Sequence, residues 1–107
     1  MSTAPQAQVL SLAEMASYQD GAVVSRQITK AQGGNITLFA FDAGQELSEH
    51  TAPFEALVQV LEGTATISIA GKSFQVEMGQ AIILPAGEAH AVKATQRFKM
   101  LLTMIHA

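Results

Sequence analysis

Glycine turns at near-regular spacing divide most of this sequence into short apolar or alternating segments. Residues 64–70 show the pattern most clearly, because Ala65, Ile67 and Ile69 alternate with small polar residues, as in a half-buried strand. About eight such segments follow one another between residues 23 and 105. Many short strands separated by tight turns predict an all-β fold, either an antiparallel sandwich or a closed barrel.

The start of the chain has a different pattern. Residues 11–14 form a capping box, which predicts a short helix over about residues 12–18. No linker or change of composition follows. We therefore expect one domain over residues 1–107, with an N-terminal arm and short helix in residues 1–20 and the β-barrel over about residues 21–107.

Composition excludes several classes of function. Only six Lys and Arg residues are present, and they are scattered, so we expect no nucleic-acid partner. Cysteine is absent, which excludes disulfides, thiolate nucleophiles and zinc–thiolate sites. We expect no membrane partner, because no apolar run is long enough to cross a bilayer. The N-terminus does not resemble a secretory signal, so a cytoplasmic location is expected.

Two histidines carry the clearest chemistry of the sequence. Each belongs to a segment punctuated by glycine or proline. Residues 44–63 begin and end at glycine and contain His50, whereas residues 79–90 contain a Pro-x-Gly turn and end at His90. If the two segments are neighbours in a barrel, both imidazoles can face one cavity.

These two segments resemble the two motifs of the cupin superfamily, and in particular its small single-domain members. The matching positions are Gly44, His50 and Gly63 in the first motif and Gly79, Pro85, Gly87 and His90 in the second. The resemblance covers about residues 35–105 and implies an antiparallel jelly-roll β-barrel. It also implies a homodimer, because small cupins commonly pair through sheet edges.

The resemblance also suggests a metal site, but an incomplete one. Cupins typically bind a divalent metal ion with three histidines and a glutamate. His50 and His90 match two of these ligands, whereas Ala52 and Ala56 occupy the positions of the other two. The resemblance therefore implies at most a weakly bound divalent ion: Fe, Ni, Zn or Cu.

Neighbouring residues offer a third ligand only under certain conditions. In a regular strand, His50, Ala52 and Ala56 share one face, and Glu55 points to the other. A bulge at Pro53 would turn Glu55 inward. The resulting set of two histidines and one carboxylate would suit Fe(II) or another divalent ion.

The last predicted strand contains another possible third ligand. Its apolar face includes Met100, whose thioether could approach the two histidines if that face points inward. A soft ligand of this kind favours Cu(I). Alternatively, a methionine in an apolar strand serves as adaptable core filler.

Three functions remain open at this point. Alanine in place of two metal ligands predicts a larger, less polar pocket lined by His50, His90, Ala52, Ala56 and Met100. The first hypothesis is therefore a barrel that binds a small organic ligand, apolar or aromatic with one acidic or carbonyl group. The alternative is a metal-dependent enzyme, an oxygenase or isomerase. The third hypothesis is a structural role, which predicts a filled barrel.

Overall fold

The computed structural model describes residues 3–106, which form nine strands in two antiparallel sheets. The strands are β1 (Val23–Ala31), β2 (Gly34–Phe41), β3 (Glu46–His50), β4 (Ala56–Glu62), β5 (Thr64–Ile69), β6 (Lys72–Glu77), β7 (Ala81–Leu84), β8 (His90–Lys93) and β9 (Phe98–Ile105). Sheet A has the order β1-β2-β9-β4-β7, and sheet B has the order β3-β8-β5-β6. The predicted all-β jelly-roll barrel is confirmed.

The main core lies between the two sheets, because the strands alternate as their sequences predict. In β4, Ala56, Val58 and Val60 point inward and are buried. At one end of the core, the rings of Phe41 and Phe98 stack with their centroids 4.5 Å apart, and both side chains are fully buried. The barrel interior is thus largely filled by side chains from both sheets.

A second core covers the outer face of sheet A. Leu38 of β2 and Leu101 of β9 point outward there, yet both are buried. They are covered by the N-terminal segment, whose Ala4 and Ala16 are also buried. The N-terminal arm is therefore an integral layer of the fold rather than a loose extension.

The predicted helix over residues 12–18 is wrong. This region contains only a single 3₁₀ turn, Leu12–Glu14, and the Ser11 side chain makes no capping hydrogen bond. The segment is instead fixed by the sheet beneath it: the Lys99 ammonium donates to the Ala13 carbonyl oxygen at 2.5 Å. Contacts with the sheet replace helical hydrogen bonds, which are marginal in so short a segment. No helix within residues 3–106 is long and apolar enough to cross a membrane.

Candidate functional site

Strands β3 and β8 are neighbours in sheet B, and their register places His50 directly opposite His90. The imidazole rings lie edge to face, with centroids 4.4 Å apart and an interplanar angle of 71°. Their Nε2 atoms are 3.1 Å apart. The two histidines of the sequence motifs therefore form one pair.

A β-bulge in β3 aims His50 at its partner. Leu47 is paired with Val92, and His50 is paired with His90, so three steps along β3 match two steps along β8. One extra residue between these pairs reverses the alternation, as expected for a bulge. The bulge considered at Pro53 is not the one observed, because the register shift lies between Leu47 and His50.

The other ring nitrogen of each histidine contacts a backbone carbonyl oxygen two residues earlier. Nδ1 of His50 is 2.7 Å from the Ser48 oxygen, and Nδ1 of His90 is 3.2 Å from the Glu88 oxygen. A carbonyl oxygen can only accept, so both Nδ1 atoms must carry the proton. In the neutral rings, both Nε2 atoms then present lone pairs to each other.

The three contacts of the histidine pair need more hydrogens than two neutral rings carry. The two Nδ1 contacts and the contact between the Nε2 atoms each need one hydrogen, but two neutral imidazoles carry only two. A proton in the third contact would have to charge a ring. Burial and the neighbouring His50 lower the pKa of His90, which opposes that charge.

The distance between the two Nε2 atoms is compatible with both of them binding one metal ion. Two nitrogens that each bind one ion at about 2.0–2.1 Å with tetrahedral or octahedral angles lie about 2.9–3.4 Å apart. The observed distance of 3.1 Å between the Nε2 atoms falls in this range. Carbonyl acceptors on Nδ1 are also the usual way in which proteins fix the tautomer of a ligating histidine.

A small cavity of about 30 Å³ adjoins the pair. Apart from the histidines its lining is apolar, and it consists of Leu47, Val58, Leu84, Val92, Met100 and Leu102. His90 is 6% exposed, whereas His50 is largely exposed, so the pair sits at the mouth of the barrel. The cavity has room for one or two water molecules, not for an organic molecule.

The structure places the predicted pocket residues in different parts of the fold. Met100 lines this cavity with the two histidines, but Ala52 and Ala56 do not. The regular strand assumed for residues 50–56 is wrong: β3 ends at His50, β4 begins at Ala56, and these strands belong to different sheets. Ala56 is buried in the main core, and the Ala52 carbonyl oxygen accepts a hydrogen bond from the Gly87 amide. The expected enlargement of the pocket is therefore absent.

Glu55 does not join the histidines. It lies in the crossing between the sheets and is exposed, and it lines a separate surface depression with Pro53 and Phe54. Within residues 3–106, no three His, Cys, Asp or Glu side chains form a group that could hold a metal. The two-histidine, one-carboxylate set considered above is therefore not formed.

Sequence reasoning missed the aliphatic wall of the cavity. Leu47 lies in β3, a strand that was not predicted. Leu84 was assigned to a strand without a facing direction, and Leu102 was placed on the face of Met100, whose direction was left open. The alternation of Leu47 with its polar neighbours Glu46 and Ser48 was the available signal for a strand before His50.

Acidification is expected to destabilise the metal-free protein. Burial and His50 lower the pKa of His90 below its ordinary value. As the pH falls through about 6.5, the unfolded chain binds a proton that folded His90 resists, so the free energy of unfolding decreases. The decrease levels off below the folded-state pKa. Denaturant titrations in a chelator at several pH values measure it.

The His50→Ala variant provides the control, because it removes the neighbouring imidazole, the second cause of the lowered pKa of His90, and should reduce this pH dependence. An unfolding free energy that rises on acidification through this range would contradict the assignment.

Comparisons with known proteins match the whole barrel. The cupin domain family model matches residues 37–106. A conserved protein of unknown function from Streptococcus pyogenes is 35% identical, with a TM-score of 0.91, and the match covers 100% of this chain and 96% of that one. A cupin superfamily protein from Desulfitobacterium hafniense is 26% identical, with a TM-score of 0.91 and coverage of 99% and 97%.

A third solved structure is about twice as long as this chain. The cupin 2 conserved barrel domain protein from Leptotrichia buccalis is 39% identical, with a TM-score of 0.87, over 90% of this chain and 47% of that one. Among curated proteins, none matches the chain significantly.

Proposed function

Because this chain belongs to the cupin family, we propose that it binds one metal ion through Nε2 of His50 and Nε2 of His90. Two protein ligands would leave coordination positions of the ion open, and a small organic ligand would fill them. The protein thus acts as a metal-dependent binding barrel.

The facing Nε2 atoms carry this proposal. They lie 3.1 Å apart, and the proton on each ring is committed to a backbone carbonyl oxygen on the opposite side. A cation between the Nε2 atoms satisfies both lone pairs without breaking either hydrogen bond. The ion is held weakly compared with a complete cupin site, since the described residues bring no third histidine and no carboxylate to it.

The organic ligand approaches from solvent rather than from the barrel interior. The cavity beside the histidines is about 30 Å³ and apolar, so it accommodates at most a small part of such a molecule. A carboxylate or carbonyl oxygen suits the ion, and an apolar group suits the surrounding leucines. The ion, when bound, supplies Lewis-acid chemistry that polarises such an oxygen.

Binding is favoured over the predicted isomerase activity by the chemistry of the cavity wall. Apart from the two histidines, the wall consists of aliphatic side chains and Met100. Proton transfer to or from a substrate needs a titratable side chain within hydrogen-bonding reach. In the proposed complex both Nε2 atoms bind the ion and both Nδ1 atoms donate to the backbone, so neither ring is available as a base.

Titration of the metal-free protein with Zn(II), Ni(II) and anaerobic Fe(II) tests the proposal. We expect one ion per chain. In nitrogen NMR of the Zn(II) form, the Nε2 signals of His50 and His90 should shift, while their Nδ1 atoms stay protonated and His106 is unchanged. Benzoate should then stabilise the Zn(II) form against heat more than the metal-free form.

Three outcomes would contradict all or part of the proposal. Absence of binding by all three ions would remove the metal site. Binding that leaves the Nε2 signals of His50 and His90 unchanged would place the ion elsewhere. Equal stabilisation of the Zn(II) form and the metal-free form by benzoate would show that the organic ligand does not bind through the metal.

A further inference from the structure

We propose that Met100 is the third protein ligand of this site and that the site selects Cu(I) over divalent ions. This inference rests on the proposed function, because it assigns the identity of the ion held by His50 and His90. It differs from the three-histidine, one-glutamate pattern of the family in both the ligand and the charge of the ion.

Met100 reaches the site from the opposite sheet. It lies in the middle of β9, paired with Val60 of β4 and Phe39 of β2, and its side chain points into the barrel with 1% exposure. It lines the same small cavity as His50 and His90. It is also the only wall residue, apart from the histidines, that carries an atom able to bind a metal.

The charge of the ligand set favours a monovalent ion. Two neutral imidazoles and a thioether bring no negative charge, and the rest of the wall is aliphatic. The free energy needed to move an ion from water into a medium of low polarity grows with the square of its charge. This desolvation free energy is therefore about four times larger for a divalent ion than for a monovalent one. The glutamate that offsets this cost in the family is replaced by Ala56, which is buried in the core.

Ligand type and number lead to the same ion. Thioether sulfur is a soft donor that favours Cu(I), whereas Mg(II), Ca(II) and Mn(II) prefer oxygen. Cu(I) is also satisfied by three donors, whereas divalent ions generally complete four to six positions. The three protein donors at this cavity are therefore enough to hold Cu(I), and a fourth position stays available for the proposed organic ligand.

Competition for Cu(I) with the chromophoric chelator bicinchoninate, under anaerobic reducing conditions, tests this inference. We expect the wild-type protein to withhold one equivalent of Cu(I), and Met100→Leu to weaken Cu(I) affinity by about tenfold or more. Zn(II) affinity should change by less than about twofold, since the histidines remain. Leucine conserves the volume of methionine, so the core should tolerate it.

Met104→Leu is the matched control. Met104 lies on the same face of β9 and is packed against the same core, but it does not line the cavity. Its replacement should leave both affinities unchanged. Copper-edge X-ray absorption should show a sulfur neighbour in the wild type and in Met104→Leu, and none in Met100→Leu.

The outcomes separate this inference from the proposed function. Unchanged Cu(I) affinity in Met100→Leu, or no sulfur neighbour in the wild type, would overturn the role of Met100 while leaving the histidine site intact. An equal loss of Zn(II) and Cu(I) affinity in Met100→Leu would also overturn it, because a general packing defect would explain that result. Failure of the wild type to bind any ion would overturn both.

Discussion

Replacing His90 with alanine is expected to weaken Zn(II) binding by about 100-fold or more, because the ion loses one of its two nitrogen ligands. A single imidazole cannot retain an ion in competition with water as a facing pair can. His90 is also the inner member of the pair, at 6% exposure, and its Nδ1 lies 3.2 Å from the Glu88 oxygen. Isothermal titration of the metal-free variant gives the loss directly.

Two further variants make this result interpretable. His50→Ala removes the other ligand from an exposed position, so it should weaken binding to a similar extent without opening a cavity in the core. His106→Ala removes the remaining histidine of the chain, whose ring packs on Phe54 with centroids 4.8 Å apart, and it should bind metal normally. Retention of Zn(II) affinity by both His90→Ala and His50→Ala would contradict the proposed metal site.

The Gly34→Ala substitution is expected to lower the free energy of unfolding by about 3 kcal/mol or more, through steric overlap and backbone strain. Gly34 has φ of +155° at the start of β2, where it is paired with Ile105 of β9. A Cβ atom there would lie 2.1 Å from the Met104 carbonyl oxygen. That oxygen belongs to the backbone of a central strand, so relief requires β2 and β9 to separate. Urea denaturation of the variant measures the effect.

The adjacent residue offers a matched control. A Cβ atom built on Gly33 meets no heavy atom within 4 Å, and its φ lies outside the left-handed range. Gly33→Ala should therefore leave stability unchanged or raise it slightly, by restricting the unfolded chain. Equal destabilisation by the two substitutions would show that the close approach of β2 to β9 is not the cause.

The fold could be predicted because its signals are local. Alternation in β5 and β6 and the glycine turns between strands each depend on a few neighbouring residues, and they match the observed elements. The close approach of Gly34 to β9, by contrast, depends on strand pairing far along the chain. The helix predicted for the N-terminal segment was wrong for a related reason. This segment packs on the outer face of sheet A, and a local helix pattern does not reveal that contact.

The candidate site could be predicted only in part. The motif spacing was sufficient to single out His50 and His90, but their direction depends on a bulge that leaves no clear mark in the sequence. Ala52 and Ala56 were assigned to the pocket because they occupy the positions of two cupin metal ligands. The chain instead changes sheets there, and the wall is completed by residues such as Leu47 and Leu84.

The unequal burial of the two histidines determines how an ion would enter and leave. His50 stands at the mouth, and His90 lies beneath it, so solvent reaches the outer ligand first. Dissociation would begin at His50 while the inner imidazole still holds the ion. A competing chelator or acceptor protein could then attach before release is complete. Transfer of the ion by this associative route would be faster than its dissociation into solvent. The transfer rate would depend on the acceptor concentration.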